Sequence, residues 1–278
     1  MLKKLSLAAL LAAAFNAQAA NVLVVLSDEH TLDLKGGKTF ETGFYLNELM
    51  QPVKMLLDAG HTVTFATPNG KAPALDKNSV NPMFFGGDQA ALDVHRNLLE
   101  QLRITDAANS PVISLARVEQ QGYGRYDAIY VPGGHAPMQD LLTSQSLGKL
   151  LRSFHDAGKT TALVCHGPIA LLSAMPDAQG FTAKLAAQKP AQRPNWIYGG
   201  YKVAVFTNTE EEASKGQLGG GEMKFYPETA LVAAGLKFSK AADWQAYMVT
   251  DRELITGQNP ASAPVVGAEL LKRLAARR

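Results

Sequence analysis

Short apolar segments of strand length alternate along the chain with longer segments of helical periodicity. The first short segment, residues 21–27 (NVLVVLS), is apolar at nearly every position, which is typical of a strand covered on both faces in a parallel sheet. Because strands that alternate with helices of ten or more residues form βαβ units, the pattern predicts an α/β fold with a mostly parallel sheet. The other predicted strands are residues 61–66, 126–131, 160–164 and 202–207, with a late hairpin at 246–249 and 254–256.

The segments of helical periodicity lie between these strands. In residues 43–59, apolar side chains recur at three- and four-residue spacing, and Gly60 follows as a helix-ending residue. Pro52 lies inside this segment, so we expect a helix that is kinked there or begins there. Residues 176–200 have no clear period and are predicted to form a loop or a small helical cap over the functional site. The other predicted helices are residues 88–102, 139–157, 168–174, 227–234 and 261–277.

Composition narrows the classes of protein that fit this pattern. The 278 residues suit one large α/β domain, and 46% hydrophobic with 19% charged residues can bury a sizeable core. The net charge is +2, and lysine and arginine do not cluster on one predicted face. The sequence therefore gives no indication of a nucleic-acid partner.

The N-terminus has the pattern of a Sec-type signal peptide. Lys3 and Lys4 precede an apolar run at residues 5–15, and Ala17 and Ala19 flank a small-x-small cleavage site. The apolar run is too short to span a bilayer comfortably, which disfavours a membrane anchor. We therefore expect residues 1–19 to be removed, residues 20–278 to form a single domain, and the protein to be periplasmic or secreted without membrane attachment.

The chain contains one cysteine, Cys165, directly after the predicted strand 160–164. In an exported protein a lone cysteine is an inert buried residue, an intermolecular link or a reactive thiol. Gly167 and Pro168 follow it, and the order strand–Cys–His–Gly–Pro–helix is that of a nucleophile elbow. A thiol at a helix N-terminus is expected to have a lowered pKa, whereas a structural buried cysteine is the alternative.

A second turn follows the strand at residues 126–131. Gly133 and Gly134 could direct backbone N–H groups toward Cys165 and form an oxyanion hole, although a simple tight turn is the alternative. Gly133, Gly134, the adjacent His135 and Gly167 are the candidate oxyanion and substrate-binding residues.

Taken together, four segments resemble the ThiJ/PfpI branch of the class I glutamine amidotransferase-like superfamily. They are residues 42–48 (TGFYLNE), 126–135 (YDAIYVPGGH), 162–168 (ALVCHGP) and 254–263 (LITGQNPASA). The resemblance covers nearly all of residues 20–278 and is greatest to glutathione-independent glyoxalases (glyoxalase III) and their chaperone- and deglycase-labelled relatives. It implies a flavodoxin-like, doubly wound sheet with helices on both faces.

The resemblance also implies catalytic roles. Cys165 would be the nucleophile, Glu48 the carboxyl group that meets its thiol, and His166 the neighbouring histidine. Without the resemblance, Glu48 would be interpreted as a solvated charge on a helix. An acidic residue after a later strand would orient the histidine, and spacing favours Glu211 within the three glutamates at 210–212, which could otherwise be a solvated helix N-terminus.

The implied reaction converts a 2-oxoaldehyde such as methylglyoxal to a 2-hydroxy acid such as lactate without glutathione or an organic cofactor. The histidines show no compact ligand spacing, so no metal is predicted. A cysteine amidase, peptidase or deglycase on the same scaffold is an alternative, and so is a non-enzymatic stress chaperone. A glutamine amidotransferase is disfavoured because no histidine follows His166. The expected partner is a small carbonyl compound, and relatives of this kind often form homodimers.

Overall fold

The computed structural model describes residues 19–276. The predicted signal peptide, residues 1–19, lies outside that range except for Ala19. Within residues 19–276, no helix is long and apolar enough to cross a bilayer.

The strands form one seven-stranded sheet and two small two-stranded sheets across the described residues. In chain order they are β1 (Asn21–Val25), β2 (Thr31–Asp33), β3 (Thr39–Glu41), β4 (Thr62–Thr67), β5 (Ile113–Ser114), β6 (Ala128–Val131), β7 (Thr160–Val164), β8 (Lys202–Val203), β9 (Lys237–Phe238), β10 (Met248–Asp251) and β11 (Leu254–Gly257). The large sheet has the order β10-β11-β7-β6-β1-β4-β5.

The large sheet confirms the predicted fold class. Its five longer parallel strands follow the order β4-β1-β6-β7-β11, which is the flavodoxin-like order 2-1-3-4-5. The short β5 extends the sheet beyond β4, and β10 pairs antiparallel with β11 at the other edge, as the predicted hairpin requires. The strand order reverses between β1 and β6, so a ligand site is expected where these strands end.

Helices cover both faces of this sheet. They are α1 (Leu46–Asp58), α2 (Gln89–Leu102), α3 (Leu115–Gln121), α4 (Gln145–Asp156), α5 (Ala178–Ala186), α6 (Asn208–Ser214), α7 (Pro227–Ala233) and α8 (Ala263–Ala276). In β1, Val22 and Val24 pack into the apolar cluster under α1, α2 and α8, whereas Leu23 and Val25 pack into the cluster under α3, α4, α5 and α7. Alternate side chains therefore enter two separate cores, which explains why the strand is apolar at successive positions.

Pro52 neither starts nor interrupts the helix, because α1 runs from Leu46 through Pro52 to Asp58. A proline within a helix leaves the carbonyl four residues earlier without its usual N–H partner. That carbonyl belongs to Glu48, and the buried hydroxyl of Tyr130 donates a hydrogen bond to it. The tertiary contact thus replaces the hydrogen bond that Pro52 cannot make.

Two other sequence expectations differ from the structure. The predicted strand at 202–207 is reduced to the two-residue β8, which pairs with β9. It ends at Val203 because the next backbone N–H, that of Ala204, donates to the side-chain oxygen Thr256 Oγ1 and not to a neighbouring strand. Residues 168–174 do form a helix, but of the 3₁₀ type and beginning at Gly167.

The segment 176–200 does not cap the site. It contains α5, whose buried Ala178 and Phe181 pack into the cluster on the α3–α4 face of the sheet. Residues of α5 line a different cavity, beside Leu32 and Met138, and none of residues 176–200 lines the cavity at Cys165.

Candidate active site

Cys165 occupies a strained turn at the C-terminal end of β7. Its φ angle is +59°, a left-handed value that is uncommon for a residue with a side chain. Its N–H donates to the Gly257 carbonyl (3.0 Å), and its own carbonyl accepts from the Phe206 N–H (2.9 Å). These bonds hold the turn between two neighbouring segments, as a nucleophile elbow requires.

The thiol begins a chain of three buried side chains. Cys165 Sγ lies 3.3 Å from His166 Nδ1, and His166 Nε2 lies 2.8 Å from Glu211 Oε1. An ionised carboxylate can only accept a hydrogen bond, so His166 Nε2 carries the proton. In the neutral ring Nδ1 is then the acceptor, and it faces the thiol as a general base would.

The three adjacent glutamates of α6 have different surroundings. Glu210 forms a capping box with Thr207 at the start of the helix, which turns its carboxylate away from His166. Glu212 is exposed and accepts a hydrogen bond from Tyr226. Glu211 is the one placed on His166, where the sequence spacing predicted it, and its orienting role stays a prediction.

Electrostatics favour one protonation state of the Cys165–His166–Glu211 chain, which we call the relay. Burial opposes ionisation of Glu211, but the charges and hydrogen bonds of His166 and His135 outweigh it and lower its pKa to about 2. Burial, aided by His135, lowers the pKa of His166 despite the adjacent carboxylate. At neutral pH the relay is therefore a neutral imidazole bonded to an ionised Glu211.

Glu48 reaches the thiol from the first turn of α1. Its carboxyl Oε2 accepts a 2.7 Å hydrogen bond from the Gly133 N–H, and its backbone carbonyl is held by Tyr130. Burial raises its pKa to about 8, although the interactions with Cys165 and Gly133 oppose the rise. Glu48 is therefore mostly protonated at neutral pH and can both give and take a proton beside Sγ.

The pKa of the Cys165 thiol is raised well above its usual value, which corrects the expectation of a lowered one. Burial is the largest cause, and the charges of Glu48, Glu210 and Glu211 add to it. The Gly167–Ala174 helix that follows the thiol is of the 3₁₀ type. The resting thiol is thus neutral, and a base must remove its proton as it attacks.

Replacing Glu48 by glutamine is expected to lower the thiol pKa by roughly one to three units, because Glu48 is ionised above about pH 8 and its negative charge there opposes the thiolate. The rate of alkylation by iodoacetamide, measured between pH 7 and 10, would show the shift directly. Glu100→Gln, at an exposed position of α2, should leave the curve unchanged. An unshifted curve in Glu48→Gln would reduce Glu48 to a buried structural group.

The four candidate oxyanion residues separate into two pairs. Gly134 and His135 line the cavity at Cys165, whereas Gly133 and Gly167 are not among its lining residues. The Gly133 N–H is already bonded to Glu48, and Gly167 packs against the Val131 carbonyl, where a Cβ would come within 2.4 Å. Within residues 19–276, the N–H groups of Gly134 and His166 donate to no other group, so these two are the better candidates for oxyanion donors.

Gly133 is required for space. A Cβ there would lie 2.6 Å from Glu48 Oε2 and 2.7 Å from Cys165 Cβ. We expect Gly133→Ala to destabilise the protein by about 1–3 kcal/mol through overpacking and to separate Glu48 from the thiol. Chemical denaturation would measure the first effect, with Gly124→Ala, where a Cβ meets nothing within 4 Å, as the control. Equal stability of the two variants would contradict the packing.

His135 extends the relay on its far side. Its Nε2 lies 3.7 Å from Glu211 Oε2, and its ring centroid lies 4.3 Å from that of His166. The ligand atoms of His135, His166 and Glu211 all lie within 4.8 Å of one another, close enough to hold a metal ion. Ligand spacing along the chain does not reveal this grouping, because the fold brings the three residues together from separate segments.

The thiol opens into a cavity of about 450 Å³. Most of its lining could not be predicted from the sequence, because the residues lie in loops, in 3₁₀ turns and at the end of the short helix α6, none of which has a recognisable period. The additional lining residues are Tyr45, Asn78, Asn81, Met83, Phe84, Phe206, Ala213, Ser214, Gln217, Trp244 and Pro260.

The sheet, the strained cysteine turn and the Cys–His–Glu relay define a protein of the nucleophile-elbow α/β class. Within that class the chain belongs to the ThiJ/PfpI family, since the family model described as ThiJ/PfpI family-like matches residues 40–210. The resemblance inferred from the four sequence segments is therefore confirmed.

Comparisons with individual proteins agree. The protein/nucleic acid deglycase HchA of Staphylococcus aureus strain MSSA476 is 26% identical over 248 residues, covering 88% of this chain and 77% of the relative. The Rapid Encystment Protein 24 KDa of Francisella tularensis has a similar fold, with a TM-score of 0.71 and 24% identity over 92% of this chain and 99% of that one. Glyoxalase III from Candida albicans also has a similar fold, with a TM-score of 0.68 and 20% identity over 91% of this chain and 96% of that one.

Proposed function

We propose that this protein is a Cys165-dependent enzyme that converts 2-oxoaldehydes such as methylglyoxal to 2-hydroxy acids such as lactate without glutathione. The observation that carries the proposal is Glu48, a fully buried carboxyl group beside the thiol with a pKa raised to about 8. Hydrolysis of an amide needs a nucleophile, a base and an oxyanion hole, which the Cys165–His166–Glu211 relay and the N–H groups of Gly134 and His166 supply without Glu48. Moving hydrogen between two adjacent carbons needs a further proton carrier at the thiol.

The first step adds the thiol to the aldehyde. As Sγ bonds to the aldehyde carbon, His166 Nδ1 takes the thiol proton and Glu48 gives its proton to the carbonyl oxygen. The product is a hemithioacetal, with an imidazolium beside Glu211 and an ionised Glu48. The N–H groups of Gly134 and His166 stabilise the oxygen as charge develops.

The second step moves hydrogen from one carbon to the next. The Glu48 carboxylate removes the proton from the former aldehyde carbon, and His166 protonates the neighbouring ketone oxygen, which gives an enediol. Glu48 then returns the proton to the second carbon, and His166 accepts the hydroxyl proton of the first. A 2-hydroxyacyl thioester on Cys165 remains, with no net oxidation.

The third step releases the product. Water attacks the thioester, its proton passes to Glu48, and the imidazolium of His166 protonates the departing sulfur. The free acid leaves, and Cys165, His166 and Glu48 are back in their starting states. Every proton taken up in the cycle is returned.

A substrate panel tests this proposal. Purified protein is expected to consume methylglyoxal and form lactate without added glutathione, and to leave simple amides and short peptides intact. Hydrolysis of amides or peptides with no lactate formed would overturn the proposal in favour of a hydrolase.

Deglycation is the second candidate, because the Staphylococcus aureus relative is a protein/nucleic acid deglycase by name. The same thiol could attack the carbonyl-derived carbon of an adduct between a 2-oxoaldehyde and an amine or thiol. Release of the free amine from a preformed methylglyoxal adduct, at a rate above its spontaneous reversal, would separate this activity from action on free methylglyoxal.

A further inference from the structure

Aromatic rings lead from the catalytic histidine to the surface. The Phe206 ring stacks on His166 with centroids 4.8 Å apart, and Trp244 meets Phe206 edge-on at 5.8 Å. Trp244 is 47% exposed although it lines the cavity of Cys165. An apolar path therefore runs from the reacting thiol to solvent.

A second exposed apolar side chain, Met83, also borders this cavity. Met83 is 68% exposed and lies with Phe84 on the short 3₁₀ turn Pro82–Phe85, which Asn81 caps. Met83 and Trp244 are two of the five large apolar side chains exposed in the described chain, and both border this one cavity. Their grouping at one opening is typical of a binding site rather than of scattered surface residues.

Trp244 is held in place rather than left loose. Its φ angle is +64°, an unusual value for a bulky residue, and its N–H donates to Glu210 Oε1 at 2.8 Å. The same oxygen accepts hydrogen bonds from Gln258 and Asn259. Buried Glu210 thus fixes a strained backbone turn at the opening, as is found at ligand sites.

The space is larger than methylglyoxal needs. The Cys165 cavity of about 450 Å³ adjoins a second of about 420 Å³, and Met83, Phe84, Trp244 and Pro260 line both. Cavities of roughly 300–1,000 Å³ accommodate drug-sized ligands. Neither lining contains lysine, arginine, aspartate or glutamate, and the two histidines of the first cavity lie at the thiol end, so no charged side chain of either lining lies near Met83 and Trp244 to complement a charged substituent.

We propose that Met83, Phe84 and Trp244 form a subsite for an uncharged aromatic or large apolar substituent of the substrate. The substrate class is then an arylglyoxal-like 2-oxoaldehyde, with its dicarbonyl end at Cys165 and its ring between Met83 and Trp244. The nature of the reaction rests on the proposed function; the subsite rests on the cavity itself.

Turnover tests the preference. The ratio of kcat/KM for phenylglyoxal to that for methylglyoxal is expected to fall roughly tenfold in Trp244→Ala and to recover in Trp244→Phe, which restores a ring. Val94→Ala, at an exposed apolar position of α2 away from the cavity, should keep the wild-type ratio. A carboxyl group on the phenyl ring should lower kcat/KM in the wild type. An unchanged ratio in Trp244→Ala would overturn the proposal.

Binding tests the subsite without any reaction. Phenylpropanedione and butanedione lack the aldehyde hydrogen, and their Kd values can be measured by calorimetry on Cys165→Ser. The aryl compound is expected to bind roughly tenfold more tightly, and Trp244→Ala should remove the difference. Equal Kd values, or a preference that survives Trp244→Ala, would refute the subsite. The protein could also bind the aryl compound more tightly in a Trp244-dependent way and yet turn over neither phenylglyoxal nor methylglyoxal. That result would support the subsite and reject only the proposed reaction.

Discussion

Cys165→Ser should lower kcat/KM for methylglyoxal by at least about 1,000-fold. A serine hydroxyl can occupy the same position, but it is a far weaker nucleophile than sulfur and cannot form the thioester. His166 would still face it, and Glu211 would still orient the ring, so the loss reports on the sulfur alone. Lactate formation without glutathione is the measurement.

The serine variant must also fold for this result to count. Its free energy of unfolding should lie within about 1 kcal/mol of the wild type, because the substitution is nearly isosteric. Normal lactate formation by a folded Cys165→Ser protein would show that the cysteine is a buried structural residue.

Glu211→Gln should lower kcat by about 100-fold or more. The carboxylate accepts the proton of His166 Nε2, which leaves Nδ1 free to take the thiol proton. An amide can donate to Nε2 instead, which moves the ring proton to Nδ1, where it blocks the base. The amide also removes the negative charge that stabilises the imidazolium.

A matched control lies next to it in the sequence. Glu212→Gln changes an exposed carboxylate one position away and should leave kcat unchanged. The pH dependence of kcat distinguishes a catalytic role from a structural one. Loss of the Glu211 charge should lower the pKa of His166 further, which moves the acid limb of the kcat profile to lower pH. Equal activities and profiles for the two variants would contradict the assignment of Glu211.

The fold could be predicted because its signals are local. The apolar runs at β1, β6 and β7, and the cysteine followed by Gly167 and Pro168, each specify a structure within a few residues. The short β2–β3 hairpin and the two-residue β5 carry too little pattern to be recognised. The start of α1 before Pro52 could not be predicted locally, because the group that compensates for the proline, the Tyr130 hydroxyl, comes from another strand.

The site could be predicted only in part, because its electrostatics depend on burial. The helix after Cys165 suggested a lowered thiol pKa, but enclosure of the sulfur beside three glutamates reverses the direction. The residues at the opening, such as Met83 and Trp244, have no period and no motif. Their position follows from tertiary bonds, among them that of Glu210 to the Trp244 backbone.

The central claim is that Cys165 carries the substrate as a thioester. Acid quenching of the protein during turnover of methylglyoxal, followed by peptide mass analysis, tests this directly. We predict a lactoyl group on the Cys165 peptide that hydroxylamine removes and that is absent from Cys165→Ser. Steady lactate formation with no adduct at Cys165, or with the adduct on another residue, would contradict the account.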